Sequence, residues 1–118
     1  MPQKKDNLHA IAEALIDATN AFDVERALAL FTQKAVIDDP STGHSFEGHK
    51  GIRDYIERYF IGYHTVTRFL SIKQVGRDQA GVRVDFAGDF RQEIGLLELT
   101  VMEGGLISHI DADLEKAE

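Results

Sequence analysis

Cysteine is absent from the 118 residues, so neither a disulfide framework nor a thiol nucleophile is available to this chain. No apolar run approaches the ~20 residues that a membrane-spanning helix needs. Basic residues are scarce: 13 Lys and Arg stand against 20 Asp and Glu, a formal charge of −7 at neutral pH. Nucleic acids and anionic membrane surfaces are held by clustered Lys and Arg, so neither is an expected partner. The five histidines lack the paired spacing that zinc sites use, and no metal is expected. Phosphate-cradling glycine loops, a G-x-S-x-G elbow and a dinucleotide fingerprint are also missing, so no cofactor is expected. The opening Met1-Pro2-Gln3-Lys4-Lys5-Asp6 leads into an amphipathic pattern rather than a signal-peptide core, which points to a cytoplasmic address.

What is present reads as one domain. The chain is 43% hydrophobic and 28% charged, an ordinary globular composition at a length that fits a single core. Leu8, Ile11, Ala12, Leu15, Ile16 and Thr19 recur at helical spacing, which predicts an amphipathic helix from about Asp6 to Asn20. Ala21 and Phe22 interrupt it. Asp23 can cap a second helix whose buried stripe is Val24, Ala27, Leu28 and Phe31. A third helix is expected from Gly48, carrying Ile52, Tyr55, Ile56, Tyr59 and Phe60 on one side and ending at Gly62.

From Tyr63 the apolar period changes to two. Strands are expected up to Gly76, around Val82, Val84 and Phe86, from Ile94 to Met102, and from Leu106 to Leu114. Gly104 and Gly105 mark a hairpin turn between the last two, and only the final residues, from Glu115, read as frayed. Three helices followed by consecutive strands predict an α+β domain. The helices then lie on one face of a curved, mostly antiparallel sheet.

The two halves are joined by a stretch with its own logic. A helix end feeds a short strand that breaks at Asp39-Pro40, because proline cannot donate to a ladder and biases Asp39 towards extended geometry. A loop and a brief extended Ser45-Phe46-Glu47 follow, and then the third helix opens. Ala29-Leu30-Phe31, Ala35, Asp38-Asp39-Pro40, Phe46-Glu47-Gly48 and Ile52 together resemble the signature of the nuclear-transport-factor-2-like superfamily. The likeness is to its SnoaL-like and ketosteroid-isomerase-like branches, and it covers nearly the whole chain.

That resemblance implies a cone-shaped α+β barrel with a pocket open at one end. It implies a small-molecule pocket protein acting on an apolar, oxygenated substrate by acid/base chemistry of the isomerase, cyclase or dehydratase type. A non-catalytic ligand-binding or dimeric association module of the same fold is the alternative. In ketosteroid-isomerase-like enzymes the aspartate before this proline is the general base, which the resemblance carries to Asp39. Glu98 falls near their second, acidic donor. The tyrosine they place in the first helix corresponds to Leu15, so steroid isomerisation itself is not expected.

The last strand pair adds candidates. With Gly104 and Gly105 in the turn, Met102 faces Ile107, Thr100 faces His109 and Glu98 faces Asp111. Glu98 then interrupts the stripe from Ile94 to Met102, while Leu97, Leu99 and Val101 form a dry stripe matched by Leu106, Ile110 and Ala112. One helical layer covers one face only. The dry stripe is therefore expected to form a homodimer through the outer sheet face, with Glu98, Thr100, His109 and Asp111 turned inwards. The reverse orientation fits the same period. In the expected one, Asp39 is the base and Glu98 with His109 the acid or electrostatic stabiliser. Leu15, Tyr55, Tyr59 and Tyr63 are expected to line the ligand site, together with Phe86, Thr100, Met102 and Asp111. Competing roles are a turn cap for Asp39 and ordinary core for the tyrosines. Arg68, alone among apolar neighbours on its stripe, is expected to pair with Asp85 or an anionic ligand. His44 and His49 read as surface residues.

Overall fold

Helix α1 (Lys4–Asn20) buries Leu8, Ala12, Leu15, Ile16 and Thr19, the positions that its apolar spacing marks. The structure, a computed structural model, describes residues 4–40, 42–89, 92–102 and 104–114; the terminus expected to fray, residues 115–118, lies outside them. Asp23 caps α2 (Val24–Leu28), its carboxylate accepting from the Arg26 amide at 3.1 Å. This helix is shorter than its stripe suggested. Phe31 is buried, but as the first residue of β1 (Phe31–Asp39). Strand β2 (His44–Glu47) returns along β1, and α3 (Gly48–Ile56) runs into a π-helical turn, Glu57–Ile61.

Gly62 closes that turn, its N–H donating to the Glu57 carbonyl at 2.9 Å, and its φ of −59° is still helical. The left-handed residue that ends the element is His64 instead, at φ 54°. Gly62 is required for a different reason: a Cβ there would stand 2.5 Å from the Arg58 carbonyl oxygen.

Four more strands, β3 (Val66–Gly76), β4 (Gln79–Ala87), β5 (Gln92–Val101) and β6 (Ile107–Leu114), complete one sheet in the order β2-β1-β6-β5-β4-β3. Only β1 and β6 run parallel; the other neighbours are antiparallel. The sheet is curved and unclosed, with α1 packed on β3 and β4 and α3 on β1 and β2. No helix among the described residues is long and apolar enough to cross a membrane.

The expected register holds at Thr100–His109 and Glu98–Asp111. The expected faces do not. Leu99, Val101, Ile110 and Ala112 are buried under the helices, while Glu98 and Asp111 are exposed on the outer side with Thr100 and His109 beside them. Solvation decides this. Each fully buried Leu, Ile or Val stabilises by roughly 1.5–3 kcal/mol, whereas each unpaired buried carboxylate costs several kcal/mol. The helices therefore take the dry stripe. Near the turn, Val101 rather than Met102 sits opposite Ile107, because Ser108 is an extra residue in β6. This bulge lets Ile107 point inwards with Ile110. Gly104 and Gly105 lie in the hairpin loop at φ 98° and 87°.

The two faces make opposite predictions for adjacent residues. Glu98→Gln should change unfolding free energy by less than about 0.5 kcal/mol, as exposed sites do. Leu99→Glu should leave no cooperative unfolding transition, since it puts a charge into the core. Denaturant melts of both variants check this, and a large cost for Glu98→Gln would contradict the assignment of faces.

Candidate functional site

Strand alternation at the end of β1 sends two adjacent carboxylates in opposite directions. Ile37 and Asp39 are buried on the helix side, and Asp38 points out. Asp39 is 8% exposed and accepts a 2.6 Å hydrogen bond at Oδ2 from the hydroxyl of Tyr55, on the inner side of α3. Burial pushes the Tyr55 phenol well above its ordinary range, and the charge and hydrogen bond of Asp39 push it further. Tyr55 is therefore a neutral donor at physiological pH.

An aromatic train extends from this pair to the mouth. Phe46 meets Tyr55 at 4.9 Å between ring centroids, Tyr55 meets Tyr59 at 5.4 Å, and Tyr59 meets Tyr63 at 6.2 Å. Tyr55, Tyr59, Tyr63 and Asp39 border a cavity of about 490 Å³, completed by Thr42, Phe60, Thr65, Phe86, Glu93 and Leu114. A smaller, inner chamber of about 40 Å³ lies among Leu15, Ile16, Thr19, Phe31, Ile37, Ile56, Thr67, Leu97, Ile110 and Ala112. Tyr55, Phe60 and Phe86 line both spaces. Phe60 and Phe86 meet edge-on at 6.1 Å. Phe86 has room for its ring because residue 95 is glycine: a Cβ there would stand 2.3 Å from Phe86 Cε2.

Of the residues expected at the ligand site, Tyr55, Tyr59, Tyr63 and Phe86 border the larger cavity with Asp39, and Leu15 borders the inner chamber. The others do not join them. Glu98, Thr100, His109 and Asp111 lie on the outer face, and Met102 borders a separate groove between α1 and the β5–β6 loop. Glu93 escaped the sequence reading, although it belongs to the inner stripe 93-95-97-99-101 once β5 is extended back to Gln92. Thr67 was likewise passed over. Arg68 does pair with Asp85, at 3.0 Å.

On the outer face His109 sits between two carboxylates, Nε2 at 2.7 Å from Asp38 and Nδ1 at 3.7 Å from Asp111. Asp38 also accepts from the Ser45 hydroxyl. One potential ligand atom from each of Asp38, His109 and Asp111 falls within a 4.8 Å span. The two ring nitrogens face different acids, however, which is the geometry of a hydrogen-bonded bridge rather than of one ion's coordination sphere. The hydrogen bonds from Ser45 and then His109 hold the Asp38 carboxyl below its ordinary range. A depressed acid pKa stabilises the fold above the unfolded-state value, and that stabilisation disappears as pH falls through the folded-state value. Asp38→Asn should therefore be less stable than wild type near neutrality, with the gap closing once pH drops below about 4. Urea unfolding across the acid range checks this; a gap independent of pH would refute it.

The sequence matches the SnoaL-like domain family over residues 12–110. A comparison with curated protein sequences finds no match. Among solved structures, a proposed ketosteroid isomerase from Kribbella flavida superposes with a TM-score of 0.83 at 18% identity, over 96% of this chain and 81% of that one. A proposed polyketide cyclase from Sinorhizobium meliloti gives 0.80 at 22% identity, over 87% and 93%. A Mycobacterium tuberculosis protein in complex with estradiol-17beta-hemisuccinate gives 0.77 at 15% identity, over 90% and 92%. At these identities the likeness is one of fold.

Proposed function

The chain belongs to the SnoaL-like domain family, and from that premise we propose that it binds a small, apolar, oxygenated molecule in the concavity and moves a proton on it without a cofactor. The observation that carries this is the Asp39–Tyr55 pair, a carboxylate buried at the border of a 490 Å³ cavity and oriented by a neutral phenol. A ketone lodged against the aromatic train would present an α-hydrogen to Asp39. The carboxylate takes that proton and the C–H electron pair moves into the enolate. In a β,γ-unsaturated ketone the dienolate takes the proton back at its γ-carbon, which completes an isomerisation; in a β-hydroxy ketone the enolate expels the hydroxyl, which takes up a proton and leaves as water, a dehydration. Tyr55 positions the base. Glu93, a second carboxylate on the same cavity, is the candidate for returning a proton, in place of Glu98 and His109 on the other face. Support for the ligand class comes from the lining and from the structural neighbour that holds an estradiol ester.

The test is deuterium uptake at the α-carbon of ketones such as cyclohexanone and 2-tetralone. Asp39→Asn should slow uptake by roughly 100- to 10,000-fold, the span of general-base contributions, while ketone binding by thermal shift persists. Tyr55→Phe should slow it less. Wild-type uptake in Asp39→Asn would refute the base. Ketones that bind wild-type protein without exchanging would leave the alternative, a ligand-binding module.

We also propose a homodimer through the outer face of β3, β4 and β5, now supported by different residues. Val66, Leu70 and Leu96 are 52, 37 and 38% exposed there, and the interface should bury roughly 1,200 Å² or more. Sedimentation should show a dimer that Leu96→Glu splits without unfolding; a wild-type monomer at micromolar concentration would refute it.

A further inference from the structure

Removing an α-proton puts negative charge on the ligand's oxygen, because the carbonyl π pair moves there as the new carbon–carbon double bond forms. An enolate formed away from bulk water needs a hydrogen-bond donor at that oxygen. Most hydroxyls around the cavity are committed elsewhere. Tyr55 donates to the Asp39 carboxylate at 2.6 Å, Thr42 to the Asp39 carbonyl at 2.8 Å, and Thr65 to the Tyr59 carbonyl at 2.7 Å. Helix α1 contains no tyrosine, and Leu15 offers no donor.

Tyr59 is the exception. It borders the 490 Å³ cavity with Asp39 and Tyr55, and its hydroxyl makes no hydrogen bond among the described residues. The residue is half-buried, and its hydroxyl is not sealed off as the hydroxyl of Thr67 is. Everything else about Tyr59 is fixed. Its carbonyl is held by Thr65, and its ring meets Tyr55 at 5.4 Å, Phe46 at 6.1 Å and Tyr63 at 6.2 Å. It belongs to the π-helical turn Glu57–Ile61, a kind of helix irregularity that recurs at functional sites. The two neighbouring phenols also sense each other: after burial and Asp39, Tyr59 adds to the upward push on Tyr55. A ring held on three sides presents its donor with little further ordering, which is what preorganised stabilisation of charge requires.

We propose that Tyr59 is a further catalytic residue, whose phenol donates to the ligand's carbonyl oxygen and stabilises the enolate while Asp39 holds the proton. This rests on the concavity being the ligand site and Asp39 its base, as argued above. The α-carbon is bonded to the carbonyl carbon, so base and donor must stand side by side. Tyr55 links them, with its hydroxyl on Asp39 and its ring against Tyr59. Two tyrosines at adjacent turns thus divide the work: Tyr55 orients the base, and Tyr59 meets the charge.

The experiment follows 2-tetralone and cyclohexanone in wild type, Tyr59→Phe and Asp39→Asn. Tyr59→Phe should slow α-deuterium uptake at saturating ketone by roughly 100- to 1,000-fold, as loss of one such donor does. Ketone affinity by calorimetry should fall no more than about tenfold, since a neutral hydrogen bond to the ground state is weak. Isotope-edited infrared spectra supply the direct signature. The carbonyl band of bound ketone should lie lower in wild type than in Tyr59→Phe, and Asp39→Asn should keep the lowered band while losing exchange. Ligand-free Tyr59→Phe should melt at the wild-type temperature, because no bond within the protein is lost. Undiminished exchange in Tyr59→Phe, or a carbonyl band that does not move, would overturn the proposal and leave Asp39 as base. A lower melting temperature would overturn it too, by showing the hydroxyl engaged in the fold. Ketones that bind wild type without exchanging would overturn the proton transfer, and the role of Tyr59 with it. Failure of every ketone to bind would overturn the ligand site itself.

Discussion

Burial of Leu99, Val101, Ile110 and Ala112 beneath the helices is the constraint from which the rest of the concavity follows. Side chains in a sheet alternate strictly, so fixing one hairpin's inner face fixes its neighbours through the ladder. Ile110 pairs with Ile37 and Asp111 with Asp38, which turns Ile37 in, Asp38 out and Asp39 in. On the other side Leu97 pairs with Val82 and Glu93 with Phe86, and Phe86 with Thr67. The inner lining therefore includes Asp39, Glu93, Phe86 and Thr67 as a set. A one-residue slip of β1, β5, β4 or β3 against its neighbours would exchange its member of that set for Asp38, Gln92, Asp85 or Arg68 respectively.

Asp38 and Asp39 show what this parity does to identical chemistry. Asp38 is partly solvated, bonded by Ser45 and His109, and held ionised to lower pH than an ordinary carboxylate. Asp39, one residue on, is closed off from solvent and bonded by a phenol that its own charge helps to keep protonated. The first arrangement suits an electrostatic strut between β1, β2 and β6, of modest energetic weight because it stays hydrated. The second suits a group that meets a substrate. The backbone alone separates the two roles.

Most of the architecture was legible because its signals are local. The apolar spacing of α1, the cap at Asp23, the break at Pro40 and the paired glycines each act within a few residues. Register in the last hairpin was legible for the same reason, apart from the one-residue bulge at Ser108. The face was not. Period two reveals two stripes but not which one meets the helices, and placing the dry stripe outwards put Glu98, Thr100, His109 and Asp111 on the wrong side. The rule that would have decided it is energetic: with one helical layer, the drier stripe belongs under it. Glu93 was missed because the strand was started at Ile94. Thr67 looked unremarkable beside Thr65, and its unpaired hydroxyl exists only in three dimensions.

Departures from a consistent core separate structural exceptions from functional ones here. Asp85 is a buried carboxylate on the outer face, and it faces a cation and an amide, Arg68 at 3.0 Å and Gln92 at 2.7 Å. Both contacts fall on Oδ2, and the buried Oδ1 has no hydrogen-bond partner among the described residues; no described cavity borders Asp85. Asp39 and Thr67 differ on that point. Asp39 accepts from the Tyr55 hydroxyl and borders the larger cavity, and Thr67 borders the inner chamber. An apolar core would have been more stable with hydrophobic residues of the same size at either position. Selection for stability alone does not call for a carboxylate at the border of an open cavity. A carboxylate at that border is accounted for by the ligand site proposed for the concavity.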